Sequence, residues 1–198
     1  MKQLEDFLDF KEKKLQKIVK HFPYFITPNA LTMLRLILLP FIIILILNNN
    51  YTWALILFIF AFVLDLFDGP LARVREQSTV FGAMLDPLAD KILFITVLIL
   101  VASGKLPTFL LAVMIGLEII IMVIAGLLAP IGKKMNYEFK IGANNYGKYK
   151  MFLQVIGLVI LMINPESQTT RDLAILFFSG AIFFSAMSIG DHIKVIYK

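Results

Sequence analysis

Long apolar runs, separated by short polar breaks, follow one another from about residue 28 to the end of the chain. Runs of roughly 20 apolar residues are long enough to cross a bilayer as helices. The pattern predicts membrane-spanning helices at residues 28–48, 53–74, 81–103, 107–131, 145–163 and 171–196. Polar breaks such as Asn48-Asn49-Asn50 mark the turns between them.

The segment 1–22 has a different pattern, in which apolar side chains face one way and lysines face the other. This pattern is typical of a helix that lies in the membrane interface. We therefore predict an all-α integral membrane protein. It has an N-terminal amphipathic interfacial helix at 1–27 and a six-transmembrane-helix bundle at 28–198.

Composition agrees with a membrane protein, because 59% of the residues are hydrophobic and the mean hydropathy is +0.83. The chain has no cysteine, which excludes disulfides and thiolate metal ligands. The net charge of +5 suits anionic membrane lipids or a phosphate-bearing substrate. The interleaved aromatic and basic residues of a nucleic-acid-binding protein do not occur, so nucleic acid is not an expected partner.

Basic residues mark one side of the predicted bundle. Most of them precede the first span, follow the second, flank the link between the fourth and fifth, or end the chain. Because cytoplasmic segments are enriched in lysine and arginine, both termini are predicted to face the cytoplasm. The end of the second span and the start of the third lie on that same side.

The second and third predicted spans contain the pattern D-x2-D-G-x2-A-R-x8-G-x3-D-x3-D. Its acidic and small residues recur at helical spacing, as Asp65, Asp68, Gly69 and Ala72 in one span and Gly82, Asp86 and Asp90 in the next. An ionised carboxylate at the centre of a membrane helix costs about 2.5–3.5 kcal/mol. A cation is therefore expected beside these aspartates.

Several functions are compatible with these aspartates. Oxygen ligands without histidine or cysteine favour Mg²⁺ or Mn²⁺, and two such ions can clamp a diphosphate during phosphoryl transfer. The alternatives are a structural role, as helix caps or ion pairs, and the ion path of a cation transporter. Transport accounts for the acidic residues but not for the neighbouring arginine, alanine and glycines.

With this motif the sequence resembles the CDP-alcohol phosphotransferases, membrane enzymes that join an alcohol to a phosphatidyl or related group and release CMP. All eight signature positions match. Residues 29–35 are similar to the family's first span, 85–91 to its variants that make phosphatidylglycerol phosphate or cardiolipin, and 146–150 with Gln154 to their fifth helix. The resemblance covers about residues 28–198 and implies a homodimer.

The resemblance also implies roles for individual residues. The implied metal ligands are Asp65, Asp68, Asp86 and Asp90. Asp90 is also the candidate general base that deprotonates the acceptor hydroxyl. The implied nucleotide contacts are Gly69, Ala72 and Gly82, which leave room for the cytidine nucleotide, and Arg73, which binds its phosphates.

Three residues of the first predicted span and one of the fourth are further candidates. Asn29 and Thr32 lie one helical turn apart and are expected to contact substrate, although both residue types are also common helix caps. Arg35 follows them and either lies near the nucleotide or pairs with a carboxylate across helices. Glu118 is expected to be structural or hydrogen-bonded within the bundle.

The expected reaction joins CDP-diacylglycerol to a small alcohol, with glycerol 3-phosphate as first choice and phosphatidylglycerol, giving cardiolipin, as the alternative. Relatives that use glycerol 3-phosphate commonly have an arginine at the position of Leu117. The acceptor phosphate is then expected to meet Lys134, Lys140, Lys148 or Lys150. We prefer Lys148, because it lies in the segment that matches the family.

Overall fold

A computed structural model describes residue 19, residue 23 and residues 27–75, 80–123 and 145–196, with side chains at all of these except 68–69, 73, 80–87, 145 and 191–196. Every regular element in these ranges is a helix. The helices are α1 (Pro28–Leu47), α2 (Tyr51–Arg75), α3 (Val80–Ala102), α4 (Thr108–Val123), α5 (Asn145–Ile163) and α6 (Gln168–Ile196). An all-helical fold, as predicted, is confirmed for the described part of the chain.

Four stretches in the described ranges are long and apolar enough to cross a membrane. They are Pro28–Leu47, Tyr51–Ala72, Tyr146–Ile163 and Gln168–Gly190. The chain is therefore an integral membrane protein. Helix bounds agree with the predicted spans to within a few residues, except that the predicted end of the fourth span, at 131, lies outside the described residues. The count of six spans stays a prediction.

The predicted interfacial helix at 1–27 lies outside the described residues, apart from Val19, Pro23 and Thr27. Val19 is fully buried and belongs to a small core with Leu31, Leu64 and Leu71. Val19 is one of the apolar residues of this segment, and the interfacial helix itself stays a prediction.

The chain divides into two units, Met1–Val97 and Leu98–Lys198. In the first unit, α1 packs along α2. Thr27 caps α1, because its side chain accepts a hydrogen bond from the Ala30 amide at 3.2 Å, and Pro28 occupies the first turn, where its missing N–H is no loss.

The buried residues of α1 form a stripe at helical spacing. They are Pro28, Leu31, Thr32, Arg35, Leu39, Ile42 and Ile46. This spacing is that of one helix face packed against a neighbour. Arg35 thus lies in the middle of an otherwise largely apolar stripe, held there by the apolar residues one turn before and one turn after it.

In the second unit, α5 and α6 pack most extensively, and α4 packs against α6. Gly157 on α5 permits close approach, because a Cβ atom at this position would lie 2.7 Å from a ring carbon of Phe178, which is fully buried. The turn between α5 and α6 is tied to the turn between α3 and α4 by Lys105, whose Nζ lies 3.0 Å from Oε1 of Glu166. The predicted topology likewise sets these two turns on one side of the membrane.

Candidate active site

Arg35 joins acidic residues of two different helices. Its Nη1 atom lies 2.6 Å from Oδ1 of Asp65 on α2 and also contacts Oδ1 of Asp90 on α3. A single guanidinium nitrogen of α1 thus contacts one carboxylate from α2 and one from α3. The predicted pairing of Arg35 with a carboxylate across helices is confirmed.

Burial differs between the cation and its partners. Arg35 has only 1% of its side chain exposed, whereas Asp65 and Asp90 keep 17% and 28%. A buried charge without a partner is strongly destabilising, and the two carboxylates supply the opposite charge here. The guanidinium is therefore the enclosed part of the cluster, and the carboxylates are its more exposed part.

The donor chemistry of this cluster fits a divalent metal ion. Asp65 and Asp90 already present oxygen atoms to one shared cation, and hard divalent ions prefer carboxylate oxygens. The other two predicted ligands, Asp68 and Asp86, belong to the helical backbones of α2 and α3, and their side chains lie outside the described residues. Three nucleotide-binding candidates, Gly69, Arg73 and Gly82, are likewise described only as backbone positions on α2 and α3.

The remaining candidates lie on three helices. Ala72 is half-buried on α2. Thr32 on α1 is buried, and its hydroxyl donates to the carbonyl oxygen of Pro28 at 3.4 Å, one turn earlier. Asn29 lies half-buried in the first turn of α1, and Lys148 is exposed near the start of α5. The predicted substrate contacts of these four residues stay predictions.

A second polar cluster lies inside the unit 98–198. Nζ of Lys150 lies 2.7 Å from Oε1 of Glu118, and Nε2 of Gln154 donates to the same oxygen at 2.8 Å. All three side chains are buried. The prediction that Glu118 is hydrogen-bonded within the bundle is confirmed.

The partner of Glu118 was not predicted. The sequence makes Lys150 one candidate for the acceptor phosphate, whereas the structure buries it against a carboxylate. A signal was present in the sequence, because Lys150 and Gln154 are four residues apart and so share one face of a helix. A lysine and a glutamine on one face, with one glutamate in an otherwise apolar span, indicate a buried polar contact.

Comparison with known proteins supports an enzyme. A protein of Pectobacterium atrosepticum is 39% identical over 149 residues, covering 70% of this chain and 78% of its own. A protein of Sodalis glossinidius is 34% identical over 171 residues, with 81% and 90% covered. One of Pseudomonas fluorescens is 39% identical over 149 residues, with 72% and 74% covered. Each is named CDP-diacylglycerol–glycerol-3-phosphate 3-phosphatidyltransferase.

The sequence model of one family matches residues 25–188, which is most of the chain and includes both arms of the aspartate motif. Members of this family generally depend on divalent metal ions. The expectation drawn from the motif is therefore confirmed: the chain belongs to the CDP-alcohol phosphatidyltransferase family.

Proposed function

We propose that this protein transfers a phosphatidyl group from CDP-diacylglycerol to glycerol 3-phosphate, releasing CMP and forming phosphatidylglycerol phosphate. The observation that carries the proposal is the meeting of Asp65 and Asp90 at the Arg35 guanidinium. It brings carboxylates from the two halves of the motif to one place. Relatives that share 34% to 39% of their residues with this chain have names that state the same donor and acceptor.

The metal site of the proposal consists of Asp65, Asp68, Asp86 and Asp90. These four carboxylates hold Mg²⁺ or Mn²⁺, with two ions per site. When bound, the ions neutralise the negative charge of the donor diphosphate. Support comes from the all-oxygen donor set and from the metal dependence general to the family.

The nucleotide lies against α2 and α3. Gly69, Ala72 and Gly82 leave room for it, because residues without large side chains permit close approach of a ligand to the backbone. Arg73 binds the phosphates through its fork of N–H donors. Two polar residues of α1, Asn29 and Thr32, complete the nucleotide contacts.

The transfer step uses Asp90 as the general base. Its carboxylate accepts the proton of the acceptor's free primary hydroxyl, and the hydroxyl oxygen then forms a bond to the phosphorus on the lipid side of the diphosphate. The bond between that phosphorus and the bridging oxygen breaks, and the oxygen leaves as part of CMP. A positioned base of this kind contributes about 10²–10⁴-fold to the rate.

The acceptor phosphate binds to Lys148. Of the two lysines on the described part of α5, Lys150 is buried and paired with Glu118, whereas Lys148 is exposed. An exposed ammonium group can reach a phosphate without losing an existing buried ion pair. Lys134 and Lys140, the other candidates, lie outside the described residues.

The proposed topology has six spans, an interfacial helix at 1–27, both termini and the active site facing the cytoplasm, and two chains per assembly. Because the chain has no cysteine, single cysteines report on it directly. A membrane-impermeant thiol reagent labels Ser103→Cys from outside intact cells, whereas Lys198→Cys reacts only after permeabilisation. The reverse pattern contradicts the orientation.

The acceptor is tested with purified protein, labelled CDP-diacylglycerol and either glycerol 3-phosphate or phosphatidylglycerol. The proposal predicts metal-dependent CMP release and labelled phosphatidylglycerol phosphate with the first acceptor. Product formed only from phosphatidylglycerol identifies a cardiolipin synthase instead. Cation flux through liposomes without any CMP release identifies a transporter, and either result overturns the proposal.

A further inference from the structure

Arg35 contacts two proposed metal ligands and is less exposed than either of them. Its Nη1 atom contacts one oxygen of Asp65 and one oxygen of Asp90. Its side chain is 1% exposed, against 17% and 28% for the two carboxylates. The cation of the cluster is therefore almost fully enclosed, whereas its carboxylates keep exposed area.

The packing of α1 fixes this cation in place. Leu31 and Leu39, one turn before and one turn after Arg35, are buried on the same helix face. The guanidinium group brings a full positive charge and several N–H donors to this buried position. A metal ion that binds to Asp65 and Asp90 therefore meets carboxylates that are already paired with a positive charge.

We propose that Arg35 is a fixed counter-cation of the metal site, which weakens the binding of divalent ions by sharing Asp65 and Asp90 with them. The inference rests on the proposed function, because it takes these aspartates as metal ligands. Two like charges near the same carboxylates repel each other, and this repulsion is strong where the surroundings are poor in water. The opposite outcome is that Arg35 holds the carboxylates in the geometry that the metal needs and so strengthens binding.

The two outcomes differ in the sign of one measurement. Purified protein in detergent is titrated with Mn²⁺, and free Mn²⁺ is followed by electron paramagnetic resonance, so no substrate turnover enters the readout. The Arg35→Gln variant is expected to bind Mn²⁺ about tenfold more tightly than the unmodified protein, within the usual range of coupling between two bound groups. Equal or weaker binding overturns the inference.

A matched control separates this effect from the loss of any positive charge. Arg171 also pairs with a carboxylate, because its Nη2 lies 3.0 Å from Oε2 of Glu166, but it lies in the first turn of α6, outside the aspartate cluster. The Arg171→Gln variant is expected to leave Mn²⁺ affinity unchanged. An equal gain in both variants points to overall charge and contradicts a local role for Arg35.

Loss of Arg35 leaves carboxylates without their cation, so Arg35→Gln is purified with Mn²⁺ present. Should it fail to fold, Arg35→Met provides the test. Its flexible apolar side chain fills the buried position without a positive charge, so this variant is likewise expected to bind Mn²⁺ more tightly than the unmodified protein. Equal or weaker binding by this variant overturns the inference.

Failure of the inference can be told apart from failure of the proposed function. Asp65→Asn is expected to lose tight Mn²⁺ binding. Equal Mn²⁺ binding by Asp65→Asn and the unmodified protein contradicts the proposed metal site itself. Loss of binding in Asp65→Asn together with no gain in Arg35→Gln contradicts only the role given to Arg35.

Discussion

Nζ of Lys150 on α5 lies 2.7 Å from Oε1 of Glu118 on α4, and both side chains are buried. Gln154, one turn further along α5, donates to the same carboxylate oxygen. Two charges inside an apolar bundle are tolerated only as a pair. The pair therefore fixes the rotation of α5, and with it the direction in which Lys148 points away from the bundle.

Breaking this pair destabilises the protein strongly. Glu118→Leu and Lys150→Met are each expected to lower the free energy of unfolding by about 3–5 kcal/mol, because each leaves one buried charge without its partner. The double variant is expected to lose much less free energy of unfolding than the two single variants lose together. Thermal unfolding in detergent measures all three, and additive losses contradict a direct interaction between the side chains.

Gly157→Ala tests the close approach of α5 and α6. A Cβ atom at this position meets the buried Phe178 ring at 2.7 Å and the Cβ atom of Phe177 at 3.2 Å. Overpacking of this kind costs about 1–3 kcal/mol, so the melting temperature is expected to fall. Gly116→Ala on α4 is the matched control, because a Cβ there meets nothing within 4 Å. A fall of equal size in both variants contradicts the packing explanation.

The stability of the folded protein is expected to depend on pH through Glu166, which lies in the turn between α5 and α6. The hydrogen bond and charge of Lys105, with a smaller contribution from Arg171, lower the pKa of Glu166 below its usual value of 4.5. The ionised Glu166 therefore stabilises the folded protein at pH values above 4.5. This stabilisation is lost as the pH falls through the lowered pKa of the folded protein.

Glu166→Gln removes that contribution. The unmodified protein is expected to melt at a higher temperature than the variant at neutral pH, and the gap is expected to shrink as the pH falls below 4.5. The effect is small and decreases with added salt, because Glu166 is exposed. A gap that widens on acidification contradicts the stated direction of the pKa shift.

Asp90→Asn separates the proposed base from the proposed metal ligands. Turnover is expected to fall by about 10²–10⁴-fold while binding of CDP-diacylglycerol is largely kept, because the remaining aspartates still hold the donor through its metal ions. Asp68→Asn is the comparison and is expected to lose donor binding. If Asp90→Asn loses donor binding as severely as Asp68→Asn, Asp90 is chiefly a ligand and not a base.

Apolar periodicity and turn residues were sufficient to predict the helices, because a membrane helix is determined by the length and composition of a local segment. The start of α1 is one example: Thr27 and Pro28 supply the cap and the first turn. The motif similarly led to the expectation that Asp65 and Asp90 belong to one site, since its acidic residues recur at helical spacing in each of two consecutive helices.

Partners across helices were harder to predict than the helices themselves. Arg35 has two contacts at sequence separations of 30 and 55 residues, and Lys150 lies far along the chain from Glu118. Such pairs depend on how helices rotate and pack, which no local pattern contains. The sequence indicated that Arg35 and Glu118 need partners, but it left open which side chains supply them.

The proposed function depends on carboxylates of α2 and α3 forming one divalent metal site. Crystals grown with Mn²⁺ and a cytidine diphosphate ligand test it most directly, through an anomalous difference map collected at the manganese edge. Anomalous density is expected between the carboxylates of Asp65 and Asp86, with the ligand's phosphates beside it. Density elsewhere in the molecule, with these side chains directed away from each other, would contradict it.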